Sequence, residues 1–171
     1  MAIHDGLDNI KAIETPISRA RKLAGVFVPS LALSTSFSAY QIQSEKEQKC
    51  VISYVQTLWN FSYMMLLRLH ELKADITNIL NRPEFSNYRH LLLKESDWAL
   101  TEQLLPVMQK FAAATEVLCQ KSVTTISSYY PLVFRILQYV RVEELHNGII
   151  GEIKTRIQHG LKDRLFVANF G

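Results

Sequence analysis

The residues most able to do chemistry are the acids, because converging carboxylates hold divalent metal or move protons. Asp5 and Asp8 sit close together near the start. Glu102, Glu116, Glu143 and Glu144 fall on helical stretches with the spacing of a solvated face. No pair stands out as a metal site. The histidines are His4, His70, His90, His146 and His159, and none has a second histidine or a cysteine at metal-ligand spacing. Cys50 and Cys119 form no Cys-x-x-Cys pair and read as reduced, partly buried thiols, in keeping with a reducing compartment. There is no glycine-rich phosphate loop, no Gly-x-Ser-x-Gly elbow and no His-Glu-x-x-His. Two basic groups remain. Arg19, Arg21 and Lys22 form one, and Lys154 to Arg164 form the other. Either could supply a few phosphate contacts, although a solvated helix face is the commoner use of such a group.

The elements that must position these residues are predicted to be helices. Six glycines and five prolines in 171 residues leave few tight turns. Leu7, Ile10, Ile13, Ile17, Ala20, Leu23, Ala24 and Phe27 recur every three or four residues and share one helical face. Pro16 interrupts that pattern. With Thr15 as a cap before it, two helices or one kinked helix both fit. A short helix with Leu31, Ser34 and Phe37 on one side is expected after Pro29 and Ser30. Ser44 to Lys49 reads as a charged loop. Cys50 to Val55 is dense in β-branched and aromatic residues and reads as one short strand. A long amphipathic helix is expected from Trp59 to about Asn81, stopped by Arg82-Pro83. A linker follows, with a possible helical turn near Leu91. Ser96 reads as the cap of a helix through Leu118 that Pro106 should kink. Thr124 or Thr125 is expected to cap another helix, carrying Ile126 to Val140. A last helix runs from Gly148 to about Phe166.

Composition agrees with a folded protein. The chain is 48% hydrophobic, with a net charge of +3 that permits an anionic partner without demanding one. Its first residues lack the basic start of a secretory signal, and its longest apolar runs fall far below the roughly 20 residues that span a bilayer. These features lead to the expectation of an intracellular chain with no membrane contact.

Three stretches together resemble the hAT superfamily of transposases and the zinc-finger BED-domain proteins derived from them. The first is Ala2 to Ile10, followed by Ile17 to Phe27 with its Arg21-Lys22. The second is Val55 to Leu66, Val-Gln-Thr-Leu-Trp-Asn-Phe-Ser-Tyr-Met-Met-Leu, then Arg68-Leu69. The third is Asp97-Trp98 followed by Leu104-Leu-Pro-Val-Met-Gln-Lys-Phe-Ala-Ala-Ala-Thr115, continued by Thr125-Ile-Ser and Tyr130-Pro-Leu132. Each motif alone is weak, whereas their order and spacing are specific. The resemblance covers Ala2 to about Arg164.

The resemblance implies a mainly α chain: a helical, bundle-like insertion region with one short strand, belonging to an RNase H-like core that is mostly absent. Residues 1–58 would be the end of the core segment and 59–171 an incomplete helical insertion domain. In the family a carboxylate triad holds divalent metal and activates a hydroxyl for attack on a phosphodiester. Its two aspartates lie upstream of the matched region and its glutamate downstream, so neither Asp5 nor any other acid here is expected to be catalytic. A zinc finger would likewise lie outside this chain. The resemblance implies DNA at transposon ends as a partner, self-association through a C-terminal region, and the nucleus as location. A non-catalytic transposase segment is one reading. A domesticated helical module for protein or DNA contacts is the alternative.

One residue is singled out by the resemblance. Trp59 occupies the family tryptophan that contacts DNA, where an aromatic ring can replace lost base stacking. The other role that fits is a buried anchor at a strand-to-helix junction. The family's preceding arginine is Leu58 here, and the serine two positions on is Phe61. Loss of the arginine removes a phosphate or carboxylate partner, which favours the anchor.

Overall fold

The structure is a computed structural model. It describes residues 11–52, 59–119, 131, 134–135, 138, 148, 151–152 and 154–159. The chain divides into two compact units, Thr15–Leu105 and a second made of Met1–Glu14 with Pro106–Gly171. The described residues are mainly helical, and no strand occurs among them.

Helix α1 (Lys11–Phe27) runs through Pro16 without a break, so the single-helix alternative is the one observed. Ile17, Ala20, Leu23, Ala24 and Phe27 are all buried, as their spacing predicts. The chain then turns by 91° into α2 (Leu31–Gln43). Ser30 caps α2, its hydroxyl accepting from the Leu33 amide at 3.3 Å, which satisfies one of the orphan donors of the first turn. Phe27 and Phe37 meet edge to face at 5.6 Å, the arrangement that ring quadrupoles favour.

The buried face of α2 differs from the expected one. Leu33, Phe37 and Gln41 point inward, while Leu31 is 80% exposed. Apolar residues lie all around α2, so its sequence period does not choose a face; packing of Phe37 on Phe27 does.

The expected strand is also corrected in part. Cys50, Val51 and Ile52 have no strand assignment, and Ser53 to Val55 lie outside the described residues. Lys49, just before this stretch, is held by a side chain. Its amide donates to Gln41 Oε1 at 3.1 Å and its carbonyl accepts from Gln41 Nε2 at 3.2 Å. A buried side-chain amide therefore does for this backbone what a neighbouring strand would do.

The predicted helix from Trp59 is two helices, α3 (Trp59–Glu71) and α4 (Lys73–Leu80). They part at Leu72, with φ −96° and ψ 7°. Leu72 is buried, and no proline or glycine marks the break, so the core and not a local breaker sets it. Arg82 is extended, with φ −66° and ψ 146°, before Pro83, as the clash with the proline ring requires. The linker is mostly 3-10 turns over Pro83–Leu91, interrupted at buried Phe85. Helix α2 packs against α4, which also packs against the 3-10 segment.

Helix α5 spans Glu95–Cys119 and continues through Pro106. It starts before Ser96, which is exposed inside the first turn, so Ser96 is not its cap. In the second unit, Val107, Met108, Phe111, Ala114 and Ile157 are buried. Residues 131, 134–135, 138, 151–152 and 154–159 are helical. Gly148 has φ +97° and its carbonyl accepts from the Glu152 amide at 3.1 Å. That left-handed backbone suits glycine and strains other residues. The remaining residues of the two expected C-terminal helices lie outside the described set.

Candidate nucleic-acid interface

The Asp97-Trp98 dipeptide, part of the family-like pattern, ties the helices of the Thr15–Leu105 unit together. Asp97 is the third residue of α5, and its Oδ2 accepts from the Lys94 amide at 3.0 Å. This is the carboxylate half of a capping box, and it places negative charge at the positive end of the helix. The same oxygen accepts from Arg19 Nη1 of α1 at 2.7 Å. Trp98 is buried. It lies 6.3 Å from the His70 ring of α3, and the Lys73 ammonium of α4 stands 5.4 Å from its centroid. One dipeptide thus contacts α1, α3 and α4.

A second node joins α2 to α4. Glu45 has φ 54° and ends α2 in a left-handed turn. The Glu45 amide donates to the Ile42 carbonyl at 3.0 Å and the Lys46 amide to the Gln41 carbonyl at 2.9 Å, the pair of bonds of a Schellman motif. The turn delivers Lys46 onto the buried Asp75 of α4. That hydrogen bond raises the Lys46 pKa above its ordinary value, against the opposing effect of desolvation. Tyr40 lies between two cations, with Lys46 Nζ and Arg82 Cζ each 5.7 Å from its ring centroid, and its hydroxyl accepts from Asn78 at 2.7 Å.

These nodes decide what the basic groups can do. Arg19 is held by Asp97. Arg21 is half-buried, and only Lys22 of the first group is exposed. In the second group Lys154 is buried, which corrects its expected place on a basic surface. Arg156 pairs with Glu152 one turn earlier at 2.8 Å. His159 is exposed, and Lys162 and Arg164 lie outside the described residues. Lys49, Arg68 and Lys73 also face acids. Lys22, Arg89, Lys94, Lys110 and Arg135 are exposed and make no ion pair among the described residues, Arg89 donating only to the Asn81 carbonyl at 2.9 Å. A cation already neutralised by a neighbour adds little to phosphate binding, so among the described residues these five are the available contacts.

Trp59 is the first residue of α3; its side chain and the preceding residues 53–58, where the strand-to-helix junction was expected, lie outside the described residues. Its neighbours Asn60 and Phe61 are half-buried and Ser62 is buried.

The divalent metal implied by the resemblance does not fit these residues. Among the described residues no three histidine, cysteine or acidic side chains converge. The buried acids, Asp75 and Asp97, each face a cation. Glu102 and Glu116 are exposed on α5, as expected. Asp5, Asp8, Glu143 and Glu144 lie outside the described residues. Sequence reasoning passed over Asp75 and Tyr40. The available signal was an acid on the buried side of α4 beside Leu72, Ile76 and Ile79, a position that calls for a cation partner.

The described residues of the Thr15–Leu105 unit are thus mainly helical, with Asp97 and Trp98 contacting three of its helices. The sequence model of the ZBED1 RNase-like helical domain matches residues 1–107, which contain both nodes. The chain belongs to this family and is, at that level, a hAT/ZBED-type, transposase-derived protein. No curated protein and no solved structure matches it.

Proposed function

We propose that the chain is a non-catalytic part of a hAT-type, transposase-like protein of the zinc-finger BED kind. Its contribution is to DNA binding at transposon ends, in the nucleus. The observation that carries this reading is the family match over residues 1–107. The ion-paired state of the buried acids supports the non-catalytic part.

The test is a fluorescence-anisotropy titration of the chain against a hairpin-ended duplex and a scrambled duplex over a range of salt. Few cations are available among the described residues, so log K against log salt should have a shallow slope, about −2 to −4. No dependence on salt, or no binding at all, refutes DNA contact. Incubating the hairpin with magnesium or manganese should leave it uncut, and cleavage by the purified chain refutes the non-catalytic reading. Trp59→Ala should lower stability more than hairpin affinity. Unchanged stability with a large loss of affinity makes Trp59 a DNA contact instead.

The second reading is a domesticated helical interaction module. One observation favours it: α2 carries no charged residue and presents Leu31 and Ile42 to solvent, at 80% and 59% exposure.

A further inference from the structure

The serine that closes α2 carries a hydroxyl that the DNA-binding reading does not use. Ser44 follows the last residue of the helix, with φ −90° and ψ 8°, and its amide donates to the Tyr40 carbonyl at 3.0 Å. The residue is exposed, and its side chain makes no hydrogen bond among the described residues. Residues 44–48 are all exposed, and 46–52 belong to neither helix nor strand. The sequence here is Ser-Glu-Lys-Glu, with acids one and three positions after the hydroxyl. Of all the serines and threonines in the chain, only Ser44 has an acid three positions on.

We infer that Ser44 is a phosphorylation site for an acid-directed serine kinase, and that the phosphate loosens the junction of α2 with α4. This goes beyond the DNA-binding reading and does not rest on it. The co-reactant is ATP with magnesium. Ser44 Oγ attacks the γ-phosphorus and forms the new P–O bond. The bond from that phosphorus to the β-phosphate oxygen breaks, ADP leaves, and the hydroxyl proton passes to the base of the kinase. A kinase of this class sets basic side chains against the residues that follow the serine, so Glu45 and Glu47 are what it would grip. The segment is held on the fold by a few polar contacts. The Glu45 and Lys46 amides bond to α2 carbonyls, Gln41 holds Lys49, and Lys46 pairs with Asp75. None of residues 44–49 is apolar, so no apolar burial opposes their being drawn out into an extended fit.

What the phosphate does there follows from the charges around it. At neutral pH it carries a charge of about −1.5 to −2. The carbonyl end of a helix is its negative pole, and the last turn of α2 holds no basic residue to offset it. Glu45 and Glu47, on either side of Lys46, are like charges. The two cations that follow closely in sequence are already engaged. Lys46 pairs with buried Asp75, and Lys49 faces Glu47 at 3.5 Å and Glu71 at 3.4 Å. The phosphate therefore either stays unpaired beside carbonyls and carboxylates or draws Lys46 off Asp75, leaving a buried acid without its cation. Each course weakens the hold of α2 on α4.

The experiment incubates the full chain with an acid-directed serine kinase, ATP and magnesium, beside a free peptide of residues 39–52. Mass spectrometry locates the phosphate, and circular dichroism follows thermal unfolding. The chain and the peptide should both be phosphorylated at Ser44, and Ser44→Ala should abolish that uptake. Two negative charges at a helix C-terminus predict a fall in Tm of about 2–8 °C at low salt. The fall should shrink by about half or more in about 0.5 M salt, which screens exposed charges. Ser44→Glu, with one charge, should lower Tm in the same direction by less. A peptide that the kinase ignores overturns the recognition. A full chain left unmodified while the peptide is phosphorylated overturns the site in the folded protein, as does uptake that survives Ser44→Ala. A Tm unchanged or raised by phosphorylation overturns the loosening, and a fall that persists undiminished in high salt overturns its electrostatic cause.

Discussion

Replacing Asp97 by alanine removes two contacts made by one oxygen, and their sizes can be worked from the structure. The first is the bond from the Lys94 amide, 3.0 Å long, at the start of α5. Capping contacts of this kind contribute about 0.5–2 kcal/mol. The second is the Arg19 pair at 2.7 Å. The Asp97 side chain is 7% exposed but that of Arg19 is 37% exposed, so solvent screens the pair and Arg19 regains water when its partner is lost. A discounted contribution of about 1 kcal/mol is appropriate. Asp97→Ala should therefore cost about 1.5–3 kcal/mol, below the roughly 3–5 kcal/mol for breaking a fully buried pair. For a chain of this length that is a fall in Tm of about 3–12 °C. Urea unfolding followed by circular dichroism measures the loss. A double-mutant cycle with Arg19→Met isolates the pair and should give a coupling of about 0.5–1.5 kcal/mol. A loss under about 0.5 kcal/mol, or a coupling indistinguishable from zero, refutes the view that Asp97 ties α1 to α5.

Three more outcomes are expected. Gln41→Ala strands the Lys49 amide and carbonyl, so it should cost about 2–3 kcal/mol and speed proteolysis near residues 46–52; unchanged cleavage there counts against the strand-mimic role. Glu45→Gly relieves a left-handed residue and should raise stability by about 0.5–1 kcal/mol, measured dilute enough that self-association plays no part, and a loss of stability would show the turn to be unstrained. The folded-state pKa of Lys46 is raised, so its stabilising effect is complete below the unfolded value of 10.5 and disappears as pH rises through the folded value. Alkaline unfolding curves of wild type and Lys46→Met should therefore converge above that value while differing at neutral pH, and a constant difference at all pH values contradicts the Lys46–Asp75 linkage.

The N-terminal helix shows how far local pattern reaches. Its buried side chains from Ile17 to Phe27 are those that a helical period requires, and Arg82-Pro83 ends α4 by a steric rule that needs only two residues. Family membership was legible for a similar reason, since ordered motifs such as Asp97-Trp98 survive in the chain itself. The break at Leu72 was not legible, because no residue there disfavours helix and only the core's demand for Leu72 bends the chain. The candidate site was least legible of all. Arg19 and Lys154 read as surface cations, yet one is held by an acid 78 residues away and the other is buried.

Helix content, the proline stop and the family were thus determined by the sequence alone, because each depends on neighbours within a few turns or on motif order. Which face of α2 is covered, which acids are neutralised and which cations stay open to phosphate were decided only by the tertiary structure. The physical reason is that burial and charge pairing belong to residues far apart in the chain, and their energies exist only once packing has removed the water between them.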